Sequence, residues 1–434
     1  MGDRLRRVGI VGGVRTPFCR SNTFYADLSN LDLMTAALNG LVDKYGLKGQ
    51  HIDEVVGGAV VSHSKDYNLA REAVLGTRLA PSTPGVTLQQ ACGTSLQAAA
   101  MIGAKIASGE IECGIAAGSD TTSDAPIVFS KKFSSRLVQL PQQKTAMDRV
   151  RVFKGFSPSE LAPQPPNVAE PRTGLSMGQH CELMAREWKV GRAEQDRFAF
   201  ESHRKGAEAY RTGYMDDLLV PTAGVFRDNN LREDISLDKL ATLKTAFDKS
   251  DKGTLTAANS TPMTDGAATV LLASEEWAAA RGLPIQSFLT YTQTSANNFV
   301  AGEGLLMAPT IAVAKMLQRA GLTLQDFDFY EIHEAFAAQV LATLKAWEDP
   351  QYNRTHLGRD VPLGSIDRAK LNVRGSSLAF GHPFAATGAR VLGNLSKLLA
   401  DNGGRGLISI CTAGGMGVAA ILESARQSEA RAAA

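Results

Sequence analysis

Four short stretches of this chain carry residues that could do nucleophilic or acid–base chemistry. Cys92 lies in QQACGTSLQA, His333 in YEIHEAFA, His382 in AFGHPFAATG and Cys411 in ISICTAGGMG. A cysteine is a nucleophile only as the thiolate, and an imidazole is the usual base that forms a thiolate at neutral pH. Each residue alone would more often be a buried structural residue. Together they predict covalent catalysis by a cysteine with assistance from histidine.

The stretch around Cys92 predicts a strand, a sharp turn and a buried helix. Residues 86–88 are β-prone, and small and aliphatic residues dominate from Leu96 onwards. We expect Thr94 and Ser95 to cap the first free N–H groups of the helix. We also expect the positive end of the helix dipole to favour the thiolate of Cys92.

The order of strand-like and helix-like stretches then repeats along the chain. A helix, a strand, a second helix and a second strand are predicted twice, at 31–45, 55–61, 93–107 and 111–117 and again at 309–320, 327–332, 384–399 and 406–411. Such alternation predicts an α/β fold with a mainly parallel sheet, built from two similar halves. Sites in these folds lie at the carboxyl ends of strands and in turns that enter helices, where the four reactive residues fall.

Between the repeats, residues 121–252 form a polar, irregular and partly proline-rich stretch that we interpret as an inserted loop domain. Its first part is locally basic, and the basic residues are Lys131, Lys132, Arg136, Lys144, Arg149, Arg151 and Lys154. A solvated surface and a site for an anionic ligand both fit this pattern.

Composition excludes several classes of protein. The 434 residues are 44% hydrophobic and 21% charged, and the net charge is +2, so nothing favours binding to nucleic acid or to a membrane surface. No apolar run suggests a membrane span, and a strand-like run begins too early to leave room for a signal peptide. Five cysteines without a Cys-x-x-Cys spacing argue against a disulfide framework and a zinc site. We therefore expect a cytoplasmic protein.

The motifs around the reactive residues resemble those of the thiolase superfamily, in order and in spacing. They are VRTPF at 14–18, CGTSLQA at 92–98, SMG at 176–178, TDGAA at 264–268, HEAFA at 333–337, GHPFAATG at 381–388 and CTAGGMG at 411–417. The HEAF version looks most like the thiolase β-subunit type of fatty-acid oxidation trifunctional complexes.

That resemblance implies a layered α-β-α-β-α fold made of two duplicated halves. The N-terminal half would span residues 1–120 and be completed by about 253–283. The loop domain at 121–252 would cover the coenzyme A site, and the C-terminal half would span 284–434.

The resemblance also implies a role for each reactive residue. Cys92 would accept the acyl group, and His382 would be the base that activates it. Cys411 would be the second acid/base, acting at the α-carbon of acetyl-CoA. His333 would polarise the thioester oxygen together with His382. The backbone N–H of Cys92 and one in the Ala413–Gly414 region would form the other oxyanion hole.

Five further residues are expected to contact the substrate or CoA, namely Ser176, Met177, Ser260, Thr261 and Gly414. CoA would be a cosubstrate, and neither a metal nor another cofactor is expected. The implied partners are acyl-CoA and CoA, with a homodimer or homotetramer as the assembly. The resemblance also allows a hydratase/dehydrogenase subunit as a partner.

The implied activity is that of an acyltransferase, a 3-ketoacyl-CoA thiolase in fatty-acid β-oxidation. Ser176, which stands where acetyl-specific members tend to have His, and an extra segment at about Lys345 to Leu371 favour medium- to long-chain substrates. Arg374 and Ser376 also depart from the family, which often has Asn and Gly there.

Three alternatives are kept open. The first is a biosynthetic acetoacetyl-CoA thiolase. The second is a ketoacyl-synthase-like condensing enzyme, which would have no use for Cys411. The third is an inactive, thiolase-shaped lipid-binding protein, which would be expected to have lost one of the four reactive residues.

Overall fold

Strands and helices alternate in both terminal parts of the chain, and a largely helical region separates them. The computed structural model describes residues 5–426. The strands in this range are β1 (Gly9–Arg15), β2 (Cys19–Arg20), β3 (Glu54–Gly58), β4 (Gly85–Thr87), β5 (Cys113–Asp120), β6 (Thr264–Ala273), β7 (Ser287–Ala296), β8 (Phe329–Ile332), β9 (Arg405–Thr412) and β10 (Met416–Ser424).

The α-helices in the same range are α1 (Asn30–Tyr45), α2 (Leu69–Leu75), α3 (Thr94–Ser108), α4 (Lys131–Gln139), α5 (Ala146–Arg151), α6 (Met177–Glu187), α7 (Arg192–Arg211), α8 (Leu237–Ala241), α9 (Glu275–Ala279), α10 (Ala308–Ala320), α11 (Ala337–Glu348), α12 (Pro350–His356), α13 (Ser377–Phe380) and α14 (Thr387–Asn402). Among the described residues, no helix is both long enough and apolar enough to cross a membrane.

The sheet has the same strand arrangement in each half, which confirms the predicted duplication. Its order is β4-β3-β5-β6-β1-β7-β10-β9-β8. β6 runs antiparallel to β1 and β5, while β3 runs parallel to β5 and β4. In the second half β10 runs antiparallel to β7 and β9, and β8 runs parallel to β9. One parallel bridge, Tyr330 to Leu371, lies where β4 would have its counterpart.

The expectation of a mainly parallel sheet is wrong, because most of the strand pairs are antiparallel. The connection between β9 and β10 shows the reason. Only residues 413–415 join these strands, and so short a link can form a hairpin but not a parallel crossover. The sheet is therefore mixed, with its parallel pairs confined to its two ends.

Five layers result from the packing of helices on the two halves of the sheet, which confirms the expected α-β-α-β-α architecture. One apolar core lies between α1, α2 and the outer face of the first half of the sheet. A second lies between α10, α11 and the outer face of the second half. The largest core lies between them and joins α3, α14 and the inner faces of both halves. α3 and α14 therefore form the central layer.

The two central helices touch at their first turns. A Cβ added at Gly388 would lie 2.4 Å from the backbone nitrogen of Leu96, so any larger residue would separate the helices. The hydroxyl of Ser95 donates to the carbonyl of Ala385 at 2.5 Å and accepts from the N–H of Ala389 at 2.7 Å. One serine on α3 thus satisfies two buried backbone groups of the opposite half.

This contact also overturns the expectation that Thr94 and Ser95 cap α3. Gly93 is the N-cap residue, and no side chain bonds the first free N–H groups. Thr94 turns back to the preceding loop, where its hydroxyl accepts from the N–H of Gln90 and donates to the carbonyl of Ala91. The hydroxyl of Thr94 therefore closes the turn before the helix, and that of Ser95 binds the opposite half, so neither is available as a cap.

The region between β5 and β6 contains α4 to α8, of which α6 and α7 are the longest. Ser176 begins α6 as an N-cap, accepting from Gln179 N–H while the Gln179 side chain accepts from Ser176 N–H. In the basic stretch, Arg136 forms an ion pair with Glu160 at 2.8 Å. An anionic ligand at the remaining basic residues, and the domain boundaries at 120, 252 and 283, stay predictions.

We expect Ser95→Ala to lower stability although the residue is small. The substitution leaves the carbonyl of Ala385 and the N–H of Ala389 buried without a partner, at a cost of about 1–3 kcal/mol. The midpoint of urea unfolding should fall accordingly. Ser108→Ala, at the exposed end of the same helix, is the matched control and should leave the midpoint nearly unchanged. Equal midpoints for the two variants would contradict the bridging role.

Candidate active site

A strained turn presents Cys92 at the start of α3. Ala91 has φ of +46°, in the left-handed region that favours glycine. Such a residue costs about 1–3 kcal/mol and persists only where its surroundings enforce it. The two hydrogen bonds of the Thr94 hydroxyl, to Gln90 and Ala91, close the turn at 2.9 and 2.7 Å. The thiol is thereby fixed at the central layer, with the residue 8% exposed.

The corresponding turn of the second half presents His382 to the same point. Gly381 has φ of +109°, and the N–H of His382 donates to the hydroxyl of Thr264 at 2.7 Å. The Nε2 of His382 lies 3.2 Å from the Sγ of Cys92, and its Nδ1 lies 2.6 Å from the Oγ1 of Thr387. With Nδ1–H donating to Thr387, the Nε2 lone pair faces the thiol, as a general base requires.

His333 completes the group from the end of β8. Its ring centroid lies 4.1 Å from that of His382, and its Nδ1 lies 2.9 Å from the Oγ of Ser377. Its Nε2 is buried and has no hydrogen-bond partner in the structure. An unpartnered buried polar atom is rare enough to suggest that a ligand supplies the partner. Nε2–H is suited to an oxygen that gains negative charge.

Cys411 lies near the end of β9, on the side of the site that is lined by apolar residues. It is 1% exposed and belongs to a core cluster that includes Cys181, Met184, Leu305 and Phe336. Burial raises the pKa of its thiol well above the ordinary value, and the neighbouring Cys92 raises it further. The structure therefore brings a second, neutral thiol to the site.

Burial dominates the electrostatics of the resting site. It raises the pKa of Cys92 to about 12, the carboxylate of Asp120 adds to this, and a hydrogen bond from the Ala413 N–H opposes it. Burial, followed by the charge of Arg390, lowers the pKa of His382 to about 3. The helix dipole was expected to favour the thiolate of Cys92, but the pKa is raised because desolvation outweighs such an effect. Thiol and imidazole are both neutral at pH 7.

The Ala413–Gly414 region, predicted to supply one N–H of the second oxyanion hole beside that of Cys92, contains two N–H groups with different partners. The N–H of Ala413 points to the sulfur of Cys92, whereas the N–H of Gly414 donates to Oε1 of Glu170 at 2.8 Å. Glu170 belongs to a short hairpin closed by the bridge between Ala169 and Ser176. No local pattern marks Glu170 as a partner, because 244 residues separate it from Gly414. Ala413 is thus the residue whose N–H can serve an oxyanion at Cys92.

The residues expected at the substrate or CoA have structural contacts of their own. Ser176 caps α6, and Met177 begins that helix beside the cluster that contains Cys411. The backbone N–H and the hydroxyl of Thr261 donate to the carbonyl of Ala335 at 3.0 and 3.1 Å. The hydroxyl of Ser260 is buried without a partner. Their contacts with CoA stay a prediction.

Behind His333 lies a buried arginine that sequence reasoning missed. Arg390 donates from Nη2 to the Oγ of Ser377 at 2.7 Å and from Nη1 to the Oγ of Ser376 at 3.1 Å. Two consecutive serines in an otherwise apolar stretch were the available signal for such a partner.

Three of the reactive side chains could also hold a metal ion. The ligand atoms of Cys92, His333 and His382 lie within 4.8 Å of one another. A neutral thiol hydrogen-bonded to a neutral imidazole is equally the resting state of a nucleophile and its base. The metal-free site stays a prediction.

The chain matches known protein families over most of its length. Residues 8–276 match the thiolase N-terminal domain, and residues 286–424 match the thiolase C-terminal domain. It is 41% identical over 426 residues to the 3-ketoacyl-CoA thiolase of Alteromonas mediterranea, covering 96% of this chain and 97% of the relative. It is 42% identical over 425 residues to that of Shewanella baltica, with the same coverage.

Solved structures agree with this. The acetyl-CoA acetyltransferase of Bacillus anthracis superposes with a TM-score of 0.81 at 28% identity, covering 98% of this chain and 100% of that one. A thiolase from Ascaris suum in complex with coenzyme A gives 0.80 at 25% identity, covering 96% and 100%. Human mitochondrial 3-ketoacyl-CoA thiolase gives 0.79 at 26% identity, covering 97% and 100%.

The two shifted pKa values predict how the reactivity of Cys92 depends on pH. Between pH 6 and 9 neither His382, with a pKa near 3, nor Cys92, with a pKa near 12, changes its protonation state. Alkylation of Cys92 by iodoacetamide, followed by peptide mass spectrometry, should therefore be nearly independent of pH in this range. In His382→Asn the rate at pH 7 should fall by about 10²–10⁴, the contribution of a general base, and should rise with pH. An inflection near pH 6.5 in the unmodified protein would contradict these protonation states.

Proposed function

The chain belongs to the thiolase family, and from this premise we propose that it acts as a 3-ketoacyl-CoA thiolase, moving an acyl group between Cys92 and CoA. The observation that carries the proposal is the 3.2 Å contact between Cys92 Sγ and His382 Nε2, made across the two halves. The unpartnered Nε2 of His333 and the buried thiol of Cys411 lie at the same site. Nucleophile, base, oxyanion donor and second acid are thus all present.

In the first half-reaction Cys92 gives its proton to Nε2 of His382, and the sulfur attacks the 3-keto carbon of the substrate. The N–H groups of Cys92 and Ala413 hold the oxyanion that forms. The bond between the α- and β-carbons then breaks, leaving the acyl group on Cys92 and the enolate of acetyl-CoA. Cys411 donates its proton to the α-carbon of that enolate and becomes a thiolate.

In the second half-reaction CoA enters as cosubstrate and gives its thiol proton to the thiolate of Cys411. The CoA sulfur attacks the acyl carbon, and the bond to Cys92 breaks. The sulfur of Cys92 recovers its proton from His382, which restores the neutral resting pair. The product is an acyl-CoA two carbons shorter than the substrate, so the reaction serves fatty-acid degradation.

The high pKa of both thiols suits this reversible chemistry. Each thiol is protonated at rest, since burial disfavours the thiolate. A charge therefore arises at sulfur only when a proton moves to an adjacent partner. The resting site carries no thiolate that would react with other electrophiles.

We propose that the acyl tails are of medium to long chain length. Apolar side chains surround Cys411, among them Leu305, Met307 and Phe336. The segment from Lys345 to Leu371 adds Tyr352 to this cluster. Ser176, with its side chain committed to the cap of α6, leaves more room than an imidazole would. Together these residues favour a long apolar tail beside the site.

The proposal includes the assembly and the location of the protein. We propose at least a dimer, supported by the open edge of β4, where Val86 is 39% exposed. Light scattering that shows only monomer would contradict it. A hydratase/dehydrogenase subunit would be detected by co-purification from the native host.

For the location we propose the cytoplasm. All five cysteines are free and buried, which fits a reducing compartment.

The two cysteines should have separable roles. Cys92→Ala should abolish turnover and the acyl-enzyme adduct that mass spectrometry detects on Cys92 after incubation with a 3-ketoacyl-CoA. Cys411→Ala should keep acyl transfer to Cys92 but lose the exchange of acetyl-CoA α-protons with solvent, because its thiol is the group that moves that proton. Cys19→Ala, at a buried cysteine in an apolar cluster that contains neither Cys92 nor Cys411, is the control. Turnover in Cys92→Ala, or unchanged exchange in Cys411→Ala, would refute the corresponding role.

Chain length is tested by thiolysis of 3-ketoacyl-CoAs with four to sixteen carbons. Each buried methylene contributes on the order of 0.8 kcal/mol, so kcat/KM should rise several-fold per two-carbon step until the apolar site is full. A site for acetoacetyl-CoA would reverse the trend, because longer tails would clash. If the four-carbon substrate is best by tenfold or more, the chain-length proposal is wrong while the thiolase chemistry stands.

A further inference from the structure

A chain of buried hydrogen bonds leads from a charged residue to the imidazole of His333. The Nη2 of Arg390 lies 2.7 Å from the Oγ of Ser377, and that oxygen lies 2.9 Å from Nδ1 of His333. Arg390 is 5% exposed, while Ser377 and His333 are fully buried. Since the oxygen of Ser377 and the imidazole of His333 are buried, the direction of these bonds follows from the donors and acceptors of the three groups.

The donors and acceptors allow one direction only. A guanidinium has donors and no acceptor, so the oxygen of Ser377 must accept from Arg390. The hydroxyl proton of Ser377 then needs an acceptor, and among the described residues its hydrogen-bond partners are Arg390 and His333. The acceptor is therefore Nδ1 of His333. A neutral imidazole that accepts at Nδ1 carries its proton at Nε2.

We propose that Arg390 and Ser377 are positioning residues that hold His333 as the Nε2–H tautomer, with this N–H directed at the thioester oxygen of the substrate. The inference rests on the proposed function, since it assigns the oxyanion donor of the same reaction. It explains why Nε2 of His333 is buried without a partner, because the substrate oxygen supplies one.

The opposite tautomer would fail at both ends. With the proton on Nδ1, the hydroxyl proton of Ser377 would have no acceptor, which is costly in a buried site. The Nε2 lone pair of His333 would then face the developing oxyanion and repel it. The hydrogen bonds from Arg390 through Ser377 to His333 therefore stabilise the tautomer that carries its proton on Nε2.

The charge of Arg390 also suits this task. Burial lowers the pKa of Arg390 to about 10, while Glu331 and Glu334 oppose the decrease, so the guanidinium stays charged at neutral pH. Its charge, after burial and the neighbouring His382, lowers the pKa of His333 well below the ordinary value. Arg390 thus keeps the imidazole neutral and fixes which nitrogen carries the proton.

The tautomer can be measured without any assay of activity. In protein labelled with ¹⁵N-histidine, two-bond ¹H–¹⁵N correlations distinguish Nε2–H from Nδ1–H, and His333→Gln identifies the signals. At pH 7.5 we expect His333 to be neutral with the proton on Nε2. A proton on Nδ1, or an imidazolium, would overturn the proposal even if the protein is an active thiolase. Conversely, a protein without thiolase activity could still show the expected tautomer, which would refute the proposed function alone.

Kinetics supply the second test, with a matched control in the adjacent serine. In Ser377→Ala the imidazole loses the partner of Nδ1, so kcat should fall about 10- to 100-fold, close to the loss of one oxyanion donor, with KM changed less than about twofold. Ser377→Thr keeps the hydroxyl and should recover most of kcat. Ser376→Ala removes the other hydrogen bond of Arg390 but no contact of His333, so kcat should stay within about threefold. Equal losses of kcat in Ser376→Ala and Ser377→Ala would show a merely structural role of Ser377 and refute the proposed positioning of His333.

Discussion

The close contact between the first turns of α3 and α14 is the constraint on which the rest of the site depends. Gly388 lets the two backbones meet, and Ser95 satisfies one N–H and one carbonyl of the opposite half. Cys92 and His382 lie in the turns that enter these helices, so the helix contact sets the distance between sulfur and imidazole. Neither half alone holds both groups. The nucleophile and its base therefore exist as a pair only after the halves have packed.

Burial at this contact shifts the pKa of each reacting group, and the proposed chemistry depends on these shifts. It raises the pKa of both thiols and lowers the pKa of both imidazoles, so the resting site is uncharged around the reacting atoms. A neutral imidazole accepts a proton from Cys92, and another donates a hydrogen bond to an oxygen. Fixed donors stabilise the transient charges more strongly in such surroundings than in water. The same desolvation that suppresses charge at rest thus strengthens the donors during reaction.

The sequence was sufficient for what depends on local order and on motifs. The repeated alternation predicted two α/β halves, and the four reactive residues were found from their types and places in the chain. It failed where distant groups compete for a hydrogen bond. Ser95 looked like a helix cap but binds the other half, and the charge of a helix end did not reveal that burial dominates at Cys92. Glu170 and Arg390 reach the site through partners that no local pattern marks.

The duplication explains why the two turns support different chemistry on similar backbones. The end of β5 carries Asp120, whose carboxylate accepts from the N–H of Ala385 and so holds the turn that contains His382. The end of β9 and the residues after it lie beneath the other turn, where the N–H of Ala413 reaches the sulfur of Cys92. Each half therefore supports the reactive turn of its neighbour. Two identical turns would have paired thiol with thiol or imidazole with imidazole, and neither pair contains both a nucleophile and a base. Proton transfer across the interface is available because one turn carries the thiol of Cys92 and the other the imidazole of His382, 3.2 Å apart.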